Sequence, residues 1–427
     1  MSELKSYSKE QLEAFKNELE KQYAEFKAKG LNLDMSRGKP SLRQVTLSNA
    51  MIDVITSGHY EYQAHEGTEC RNYGILDGIP ECKELFAELL EVEKENVMVF
   101  GNSSLNMMFD YITQCMFSGS GGKPWKDQGK IKFLCPCPGY DRHFAILEYY
   151  GIEQINVDLT GNGPDMDQVE ELIKDETVKG MFCVPKYSNP TGETYSAETV
   201  ERIARMKPAA KDFRILWDNA YVIHDLYDET DELVNIFPRL KEYGNEDMVI
   251  EFASTSKITF PSAGVAALAA SVNNCEMIRK RMTIQTIGHD KMNMLRHVMY
   301  FENLDGIKKH MALHKAILAP KFDAVIEAFE NSLSEYAIAS WTKPLGGYFI
   351  SLDVMPGTAK RVGQLCKEAG VTLTSVGATF PYGIDPQDQN IRIAPSFPPV
   401  DELKVATDIL CVAIKLAACE KLLSEAK

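Results

Sequence analysis

Lys257 is the residue best suited to covalent chemistry, because it follows an apolar predicted strand and closes the hydroxyl-rich segment Ser254-Thr255-Ser256-Lys257. A lysine amine must lose its proton before it attacks an aldehyde, and burial or a cationic neighbour lowers its pKa. The hydroxyl groups of Ser254 and Ser256 could donate hydrogen bonds to a phosphate. Taken alone, the pattern also fits a solvent-exposed lysine at a strand end. It therefore suggests a Schiff base only together with other residues.

Asp218 ends a second apolar run, Phe213–Trp217. In open α/β sheets ligands bind beyond the carboxyl ends of the strands, and a buried carboxylate there needs a cationic partner. The protonated pyridine nitrogen of pyridoxal 5'-phosphate (PLP) would be such a partner, and this pairing keeps the ring an electron sink. Tyr221 could reach the ring's phenolate oxygen. The alternative is that Asp218 caps a turn and Tyr221 packs in the core.

Asn189 begins the segment Asn189-Pro190-Thr191-Gly192, which is typical of a turn. The turn follows the predicted strand Gly180–Val184, again at a carboxyl end. The Asn189 amide could donate to the same phenolate oxygen as Tyr221. An ordinary turn without a ligand is the alternative.

Ser103 and Ser104 follow the predicted strand Val97–Gly101 and open an apolar helix, Leu105–Met116. Free amides and hydroxyls at the start of a helix form an anion site. A helix cap without any ligand fits the same residues.

Three further residues could contact a flat ring or a carboxylate. In the segment Pro138–His143, Tyr140 could stack on a ring and Arg142 could bind a carboxylate with two hydrogen bonds. Arg392 lies between two isoleucines in a predicted strand, and an inward-facing arginine there would need an anion such as a substrate carboxylate. A packed tyrosine and two solvent-exposed arginines are the alternatives.

These segments must be positioned by an α/β layer, because between residues 50 and 310 short apolar runs alternate with helical patterns. Several runs are almost continuously apolar, as strands covered on both faces are, which predicts a mainly parallel sheet flanked by helices. The predicted strands, besides those above, are Lys132–Cys135, Arg214–Asp218, Met248–Ser254 and Val265–Ser271. The predicted helices include 8–29, Ile79–Glu91, Asp167–Lys174 and Ala197–Met206.

The last third of the chain has a different pattern, which predicts a smaller α+β domain. Helices are predicted at Lys321–Leu333, Arg361–Ala369 and Val400–Glu425, and a strand at Gly346–Leu352. We interpret the chain as a large domain over residues 50–310 and a discontinuous small domain formed by residues 1–49 with 311–427.

In combination, these residues resemble the fold-type I PLP-dependent aminotransferases of class I/II, and among them the type Ic aspartate aminotransferase group. Asp218 lies 29 residues after Asn189, and Lys257 lies 39 residues after Asp218. The resemblance runs from about residue 30 to the C-terminus. The subgroup is indicated by Ser-Arg-Gly-Lys-Pro at 36–40, Pro-Gly-Tyr-Asp-Arg-His-Phe at 138–144 and Ser-Lys-Ile-Thr-Phe-Pro-Ser-Ala-Gly at 256–264.

The resemblance implies a role for each matching residue around the cofactor. Lys257 forms the Schiff base and shuttles a proton, Asp218 pairs with the pyridine nitrogen, and Tyr140 stacks on the ring. The ring oxygen is bound by Asn189 and Tyr221. The implied phosphate contacts are Ser103, Ser104, Ser254 and Ser256, joined by Tyr73 of a neighbouring subunit, which implies a homodimer with shared active sites.

The implied substrate contacts are fewer. Gly38 belongs to a segment that closes over the substrate, and Arg392 binds the α-carboxylate. For a dicarboxylate such as aspartate we expect Arg142 to bind the side-chain carboxylate, with Arg37 as the alternative. Asn189 also faces the substrate.

One position departs from the family pattern. Common aminotransferases have an arginine eight residues after the Schiff-base lysine that binds the phosphate, whereas this chain has Val265. Another cation must take that place, and Lys39, Arg71 and Arg142 are candidates by residue type.

The expected reaction is transfer of an amino group from an amino acid, here L-aspartate, to 2-oxoglutarate by a ping-pong mechanism. Other PLP-dependent reactions, such as β-elimination or decarboxylation, use the same scaffold. A PLP-binding regulatory domain is a further alternative, but fewer than 40 residues precede the Ser36–Pro40 segment, too few for a helix-turn-helix unit.

Composition argues against several other classes. The net charge of −15, from 46 basic and 61 acidic residues, disfavours binding to nucleic acid or to an anionic membrane. Cys135 and Cys137 have no second pair at zinc-finger spacing, so no metal site is predicted. The polar N-terminus lacks a signal-like apolar region, and the longest apolar stretches are shorter than the ~18–20 residues that span a bilayer. We therefore expect a cytoplasmic protein.

Overall fold

The computed structural model describes residues 3–56 and 61–426. The strands are β1 (Leu33–Asp34), β2 (Val97–Val99), β3 (Lys132–Cys137), β4 (Glu153–Asp158), β5 (Val178–Cys183), β6 (Arg214–Asp218), β7 (Val249–Ser254), β8 (Ala266–Ala270), β9 (Ala339–Trp341), β10 (Ile350–Val354), β11 (Val371–Thr372) and β12 (Asn390–Ile393). The helices are α1 (Lys9–Ala28), α2 (Leu42–Thr46), α3 (Pro80–Leu90), α4 (Ser104–Ser118), α5 (Asp141–Tyr149), α6 (Met166–Leu172), α7 (Ala197–Arg205), α8 (Ile236–Tyr243), α9 (Val272–Gln285), α10 (Lys291–Phe301), α11 (Leu304–Leu333), α12 (Ala359–Glu368) and α13 (Val400–Glu425).

A central sheet of seven strands carries the order β2-β8-β7-β6-β5-β3-β4. Neighbouring strands from β7 through β4 pair in parallel, and β8 runs antiparallel to both β7 and β2. The carboxyl ends of β2, β3, β5, β6 and β7 therefore meet at one edge. The prediction of a mainly parallel sheet flanked by helices is confirmed.

Both faces of the central sheet are covered, which explains the nearly continuous apolar runs. Every residue of β6 and of β8 is buried. Leu216 and Phe252 pack against one face with residues of α4 and α5, whereas Ile215 and Trp217 pack on the other with residues of α6 and α7. Fully burying one such large apolar side chain stabilises the fold by about 1.5–3 kcal/mol.

A second core joins the N-terminal helix to the C-terminal third. Helix α1 begins at a capping box, in which Ser8 and Gln11 bond each other's backbone amides, and its buried Leu12 and Leu19 share this core with residues of α11, α12 and α13. The antiparallel sheet β12-β10-β9 and the parallel pair β1-β11 complete this region.

The structure differs from the predicted elements at several places. Strand β4 was not predicted, since four of its six residues are polar and only two are buried. Helix α11 spans 30 residues rather than the predicted Lys321–Leu333, so the predicted domain boundary at residue 310 falls inside a helix. None of the described helices is long and apolar enough to cross a lipid bilayer.

The predicted strand Gly346–Leu352 was wrong in its first half, because β10 begins only at Ile350. Gly346 instead lies against the ring of Tyr187, where a Cβ would come within 2.1 Å, and Gly347 lies beside the Cβ and the backbone carbonyl of Tyr187. Gly347 has φ +85°, which favours glycine. The pair therefore serves close packing rather than entry into a strand.

Candidate active site

A cavity of about 590 Å³ lies at the carboxyl edge of the central sheet, beside β12 and the segment Ser36–Lys39. Its walls include every predicted site residue except Tyr73, which is 78% exposed elsewhere on the surface. The predicted residues that line it are Gly38, Ser103, Ser104, Tyr140, Arg142, Asn189, Asp218, Tyr221, Ser254, Ser256, Lys257 and Arg392. The structure thus brings together residues from five strand ends and from β12.

Lys257 lies just beyond β7, with its Nζ 5.0 Å from the centroid of the Tyr221 ring. Removal from water lowers the pKa of its amine, and the negative charge of Asp218 partly opposes that shift. A larger fraction of the amine is therefore unprotonated at neutral pH than in an exposed lysine. This is the state that an amine nucleophile or base requires.

Asp218 is the last residue of β6, and its two carboxylate oxygens differ in their contacts with the described residues. Its Oδ2 lies 3.0 Å from Nε2 of His143, and both side chains are buried. Its Oδ1 is also buried and has no hydrogen-bond partner among the described residues. A buried carboxylate oxygen without a partner fits the protonated nitrogen of a pyridine ring.

His143 is a residue that the sequence reasoning missed. Its ring is stacked on Phe182 at 4.2 Å between centroids and an interplanar angle of 5°, and it meets the Tyr140 ring edge-on at 4.9 Å. These contacts fix the imidazole that supports Asp218. The available signal was its position in the first turn of α5, three residues after Tyr140, which is the N-cap of that helix.

Tyr140 and Tyr221 both present phenol groups that stay protonated at neutral pH. Burial raises the pKa of Tyr140 to about 12, and burial also holds the pKa of Tyr221 well above its ordinary value. A protonated phenol can donate a hydrogen bond, and a flat ring can stack on another.

Arg392 projects from β12 into the same cavity. Its Nη1 donates to Oδ1 of Asn189 at 3.2 Å and to Oδ1 of Asp141 at 2.8 Å, while the guanidinium lies over the ring of Phe349. Because the Asn189 oxygen is engaged by Arg392, its amide nitrogen is the group left to donate elsewhere. Asp141 is a second residue that the sequence reasoning missed.

One wall of the cavity is formed by serine hydroxyl groups and by the N-terminus of α4. Ser103 is the N-cap of α4 and Ser104 is its first residue. Ser254 Oγ donates to Ser256 Oγ at 3.1 Å, and Ser256 Oγ donates to the carbonyl of Asn102 at the same distance. Hydroxyls beside a helix N-terminus suit a phosphate.

Position 265 cannot supply a cation to that wall, because the apolar side chain of Val265 is buried in a core cluster. Its backbone bonds Thr255 twice: the amide donates to Thr255 Oγ1 and the carbonyl accepts from the Thr255 amide. Of the three candidates by residue type, Lys39 and Arg142 line the cavity. Arg71 instead holds Glu69 with two hydrogen bonds of 2.8 Å. Lys39 and Arg142 are therefore the better-placed candidates.

Gly38 occupies a position where a side chain would collide with the cavity wall. A Cβ there would lie 2.3 Å from the ring of Phe349, the same ring that Arg392 covers. This close approach explains why the segment Ser36–Lys39 carries glycine.

Comparison with known proteins agrees with this geometry. The family model for aspartate aminotransferase matches residues 7–426. This chain belongs to the aspartate aminotransferase family. An aspartate aminotransferase of Corynebacterium glutamicum is 44% identical over 419 residues, which cover 98% of this chain and 96% of that protein.

Solved structures of related proteins superpose on this chain. The crystal structure of an aspartate transaminase from Corynebacterium glutamicum superposes with a TM-score of 0.96 at 43% identity, covering 99% of both chains. A second structure is that of LysN, an α-aminoadipate aminotransferase from Thermus thermophilus complexed with N-(5'-phosphopyridoxyl)-L-leucine. It superposes with a TM-score of 0.72 at 17% identity and covers 92% of this chain and 93% of that one. At this identity the likeness shows the fold alone. The chain is a transaminase of PLP fold type I, as the resemblance predicted.

Proposed function

We propose that this enzyme transfers the amino group of L-aspartate to 2-oxoglutarate, with PLP as cofactor, in a ping-pong cycle. The observation that carries the proposal is that Lys257, Asp218 and Arg392 line one cavity, and that the buried Oδ1 of Asp218 has no partner among the residues the structure describes. The Corynebacterium glutamicum relative named aspartate aminotransferase supports the choice of amino donor.

The residues of the cavity fit the proposed cofactor. When bound, PLP supplies an electron sink for carbanion chemistry. Asp218 would hold the proton on the pyridine nitrogen, and His143 would keep that carboxylate in place. Asn189 and Tyr221 would donate to the ring oxygen, and Tyr140 would stack on the ring. The phosphate would lie against the hydroxyls of Ser103, Ser104, Ser254 and Ser256.

Lys257 would hold the cofactor as a Schiff base and act as the base once the substrate amine has displaced it. Its lowered pKa favours the free amine that removes the proton from Cα of the substrate. The same amine would return the proton at the cofactor's C4′ carbon. Proton removal and delivery by one group account for a reversible amino transfer.

The substrate would be bound at both of its carboxylates. Arg392 would bind the α-carboxylate, and Gly38 would let the neighbouring segment approach. Arg142, which lines the cavity and is exposed, would bind the side-chain carboxylate, with Arg37 as the alternative. An arginine is suited to each position because its planar fork matches a carboxylate.

The enzyme would work as a homodimer with shared sites. Tyr73 and Ile287 are both exposed, and their neighbours are in contact, since a Cβ on Gly288 would lie 2.7 Å from the carbonyl oxygen of Gly74. If a second copy of the chain covers these side chains, Tyr73 of one copy would contact the phosphate bound in the cavity of the other copy. Exposed large apolar side chains of this kind are typical of interfaces.

The direct test is a product balance with the cofactor-loaded enzyme, aspartate and 2-oxoglutarate. We expect oxaloacetate and glutamate to form in equal amounts. Release of carbon dioxide with alanine, or of ammonia, would instead identify a decarboxylase or a lyase. Binding of PLP without turnover would indicate a regulatory protein.

A further inference from the structure

The guanidinium of Arg392 is already paired with a carboxylate of the protein itself. Oδ1 of Asp141 lies 2.8 Å from Nη1 of Arg392, in a salt bridge whose arginine side chain is 7% exposed and whose aspartate side chain is 32% exposed. This salt bridge affects substrate binding only if Arg392 has its proposed role at the α-carboxylate, so its significance rests on the proposed function.

The hydrogen bonds that Arg392 makes within the protein show which of them a substrate carboxylate must displace. Nη1 bonds both Asp141 and Asn189, and Nε reaches Thr374 Oγ1 only at 3.4 Å. A carboxylate that binds across both terminal nitrogens needs Nη1. The substrate and Asp141 therefore compete for the same nitrogen.

Asp141 is the member of the pair that can move. It is the first residue of α5, where the helix dipole stabilises a carboxylate even without an arginine. Arg392 is less exposed than Asp141 and is held by contacts with Phe349, Asn189 and Thr374. Exchange at this salt bridge should therefore move the aspartate and leave the arginine in place.

We propose that Asp141 is a specificity-determining residue: it occupies Arg392 in the substrate-free enzyme and is displaced by the substrate α-carboxylate. While it is in place, the cation is neutralised and is less attractive to small inorganic anions. A substrate that binds at several points can meet the cost of displacing it, whereas a simple anion cannot. The salt bridge therefore lowers the affinity for the substrate and favours the substrate over small inorganic anions.

The test is the affinity of succinate, an unreactive dicarboxylate, measured by titration calorimetry on the cofactor-loaded enzyme. Asp141→Asn keeps the size of the side chain and removes its charge, so succinate should bind about tenfold tighter. Glu148→Gln removes the same charge from an exposed position of α5 and should leave affinity within about twofold of wild type. Unchanged or weaker binding to Asp141→Asn would overturn the proposal.

A second pair of variants separates this inference from the proposed function. Arg392→Met should weaken succinate binding, and Asp141→Asn should then have no further effect, since its partner is gone. If Arg392→Met binds succinate as wild type does, the assignment of Arg392 is wrong and so is the competition with it. If Arg392→Met weakens binding but Asp141→Asn still tightens it in that background, Asp141 acts on another group and only the role of Asp141 proposed here fails.

Discussion

His143 Nε2 lies 3.0 Å from Oδ2 of Asp218, in a buried pair that leaves the other aspartate oxygen, Oδ1, buried and without a partner among the described residues. The imidazole is itself fixed by stacking on Phe182. His143 thus orients Asp218 through Oδ2 and leaves Oδ1 unpaired within the described residues. This arrangement suits a carboxylate whose function is to hold a proton on a bound ring.

Replacement of His143 tests that support. His143→Phe keeps an aromatic ring on Phe182 but leaves Asp218 Oδ2 without its partner. A buried acceptor left unsatisfied costs about 1–3 kcal/mol, so we expect kcat/KM to fall roughly 5- to 150-fold. Steady-state kinetics measure the loss, and circular dichroism checks that the variant is folded. Wild-type kinetics in a folded variant would show that His143 does not support Asp218.

Replacement of Lys257 tests the covalent role. Lys257→Ala removes the only amine that we assign to the Schiff base, so the visible absorbance of the bound cofactor should change and turnover should fall by about 10⁴-fold or more. Lys211→Ala, at an exposed lysine outside the cavity, is the matched control and should keep both properties. Native turnover in Lys257→Ala would contradict the assignment.

Replacement of Arg142 tests the choice of substrate. Arg142→Ala should lower kcat/KM for aspartate by about 10²-fold and change that for alanine little, because alanine has no second carboxylate. Arg37→Ala gives the comparison, since both arginines line the cavity. Equal losses for the two amino acids would argue against a side-chain role for Arg142, and a selective loss in Arg37→Ala would transfer the role to that residue.

Glu251 provides a test of stability rather than activity. Burial in β7 raises the pKa of this carboxyl to about 8, although Asn219 Nδ2 donates to its Oε1 at 2.8 Å. From about pH 4.5 to 8 the unfolded chain releases the proton and the folded chain keeps it, so stability falls as pH rises, by up to ~1.4 kcal/mol per pH unit.

Glu251→Gln cannot ionise and keeps an oxygen to accept from Asn219. We expect its thermal midpoint to exceed that of wild type at pH 8 and to differ little near pH 5, at equal protein concentration. Glu88→Gln, at an exposed position, should show no such pH-dependent gain. A loss of stability in Glu251→Gln that is equal at both pH values would contradict the raised pKa.

The sequence was informative where chemistry follows a buried strand. Asp218 ends an apolar run, and Asn189 and Lys257 follow such runs within a few residues. Because the ends of parallel strands meet at one edge, their meeting in one cavity was predictable. The dominant parallel sheet was predictable for the same reason. These inferences needed only local patterns and one topological rule.

The sequence was not informative where function depends on a contact between distant segments. The partners in His143–Asp218 are 75 residues apart, and those in Asp141–Arg392 are 251 residues apart. No local periodicity relates such pairs, since the approach of α5 to β6 and β12 is set by packing. The same holds for Gly346, whose need for glycine comes from the ring of Tyr187 rather than from its neighbours in sequence.

A single half-reaction tests the proposed function most directly: cofactor-loaded enzyme mixed with aspartate and no acceptor, followed by absorbance and by assay of the products. With aspartate, we predict that the visible absorbance of the bound cofactor shifts to that of its amine form and that one oxaloacetate is released per active site. Later addition of 2-oxoglutarate should restore the starting spectrum and release glutamate. Formation of alanine with carbon dioxide, release of ammonia, or an unchanged spectrum would contradict it.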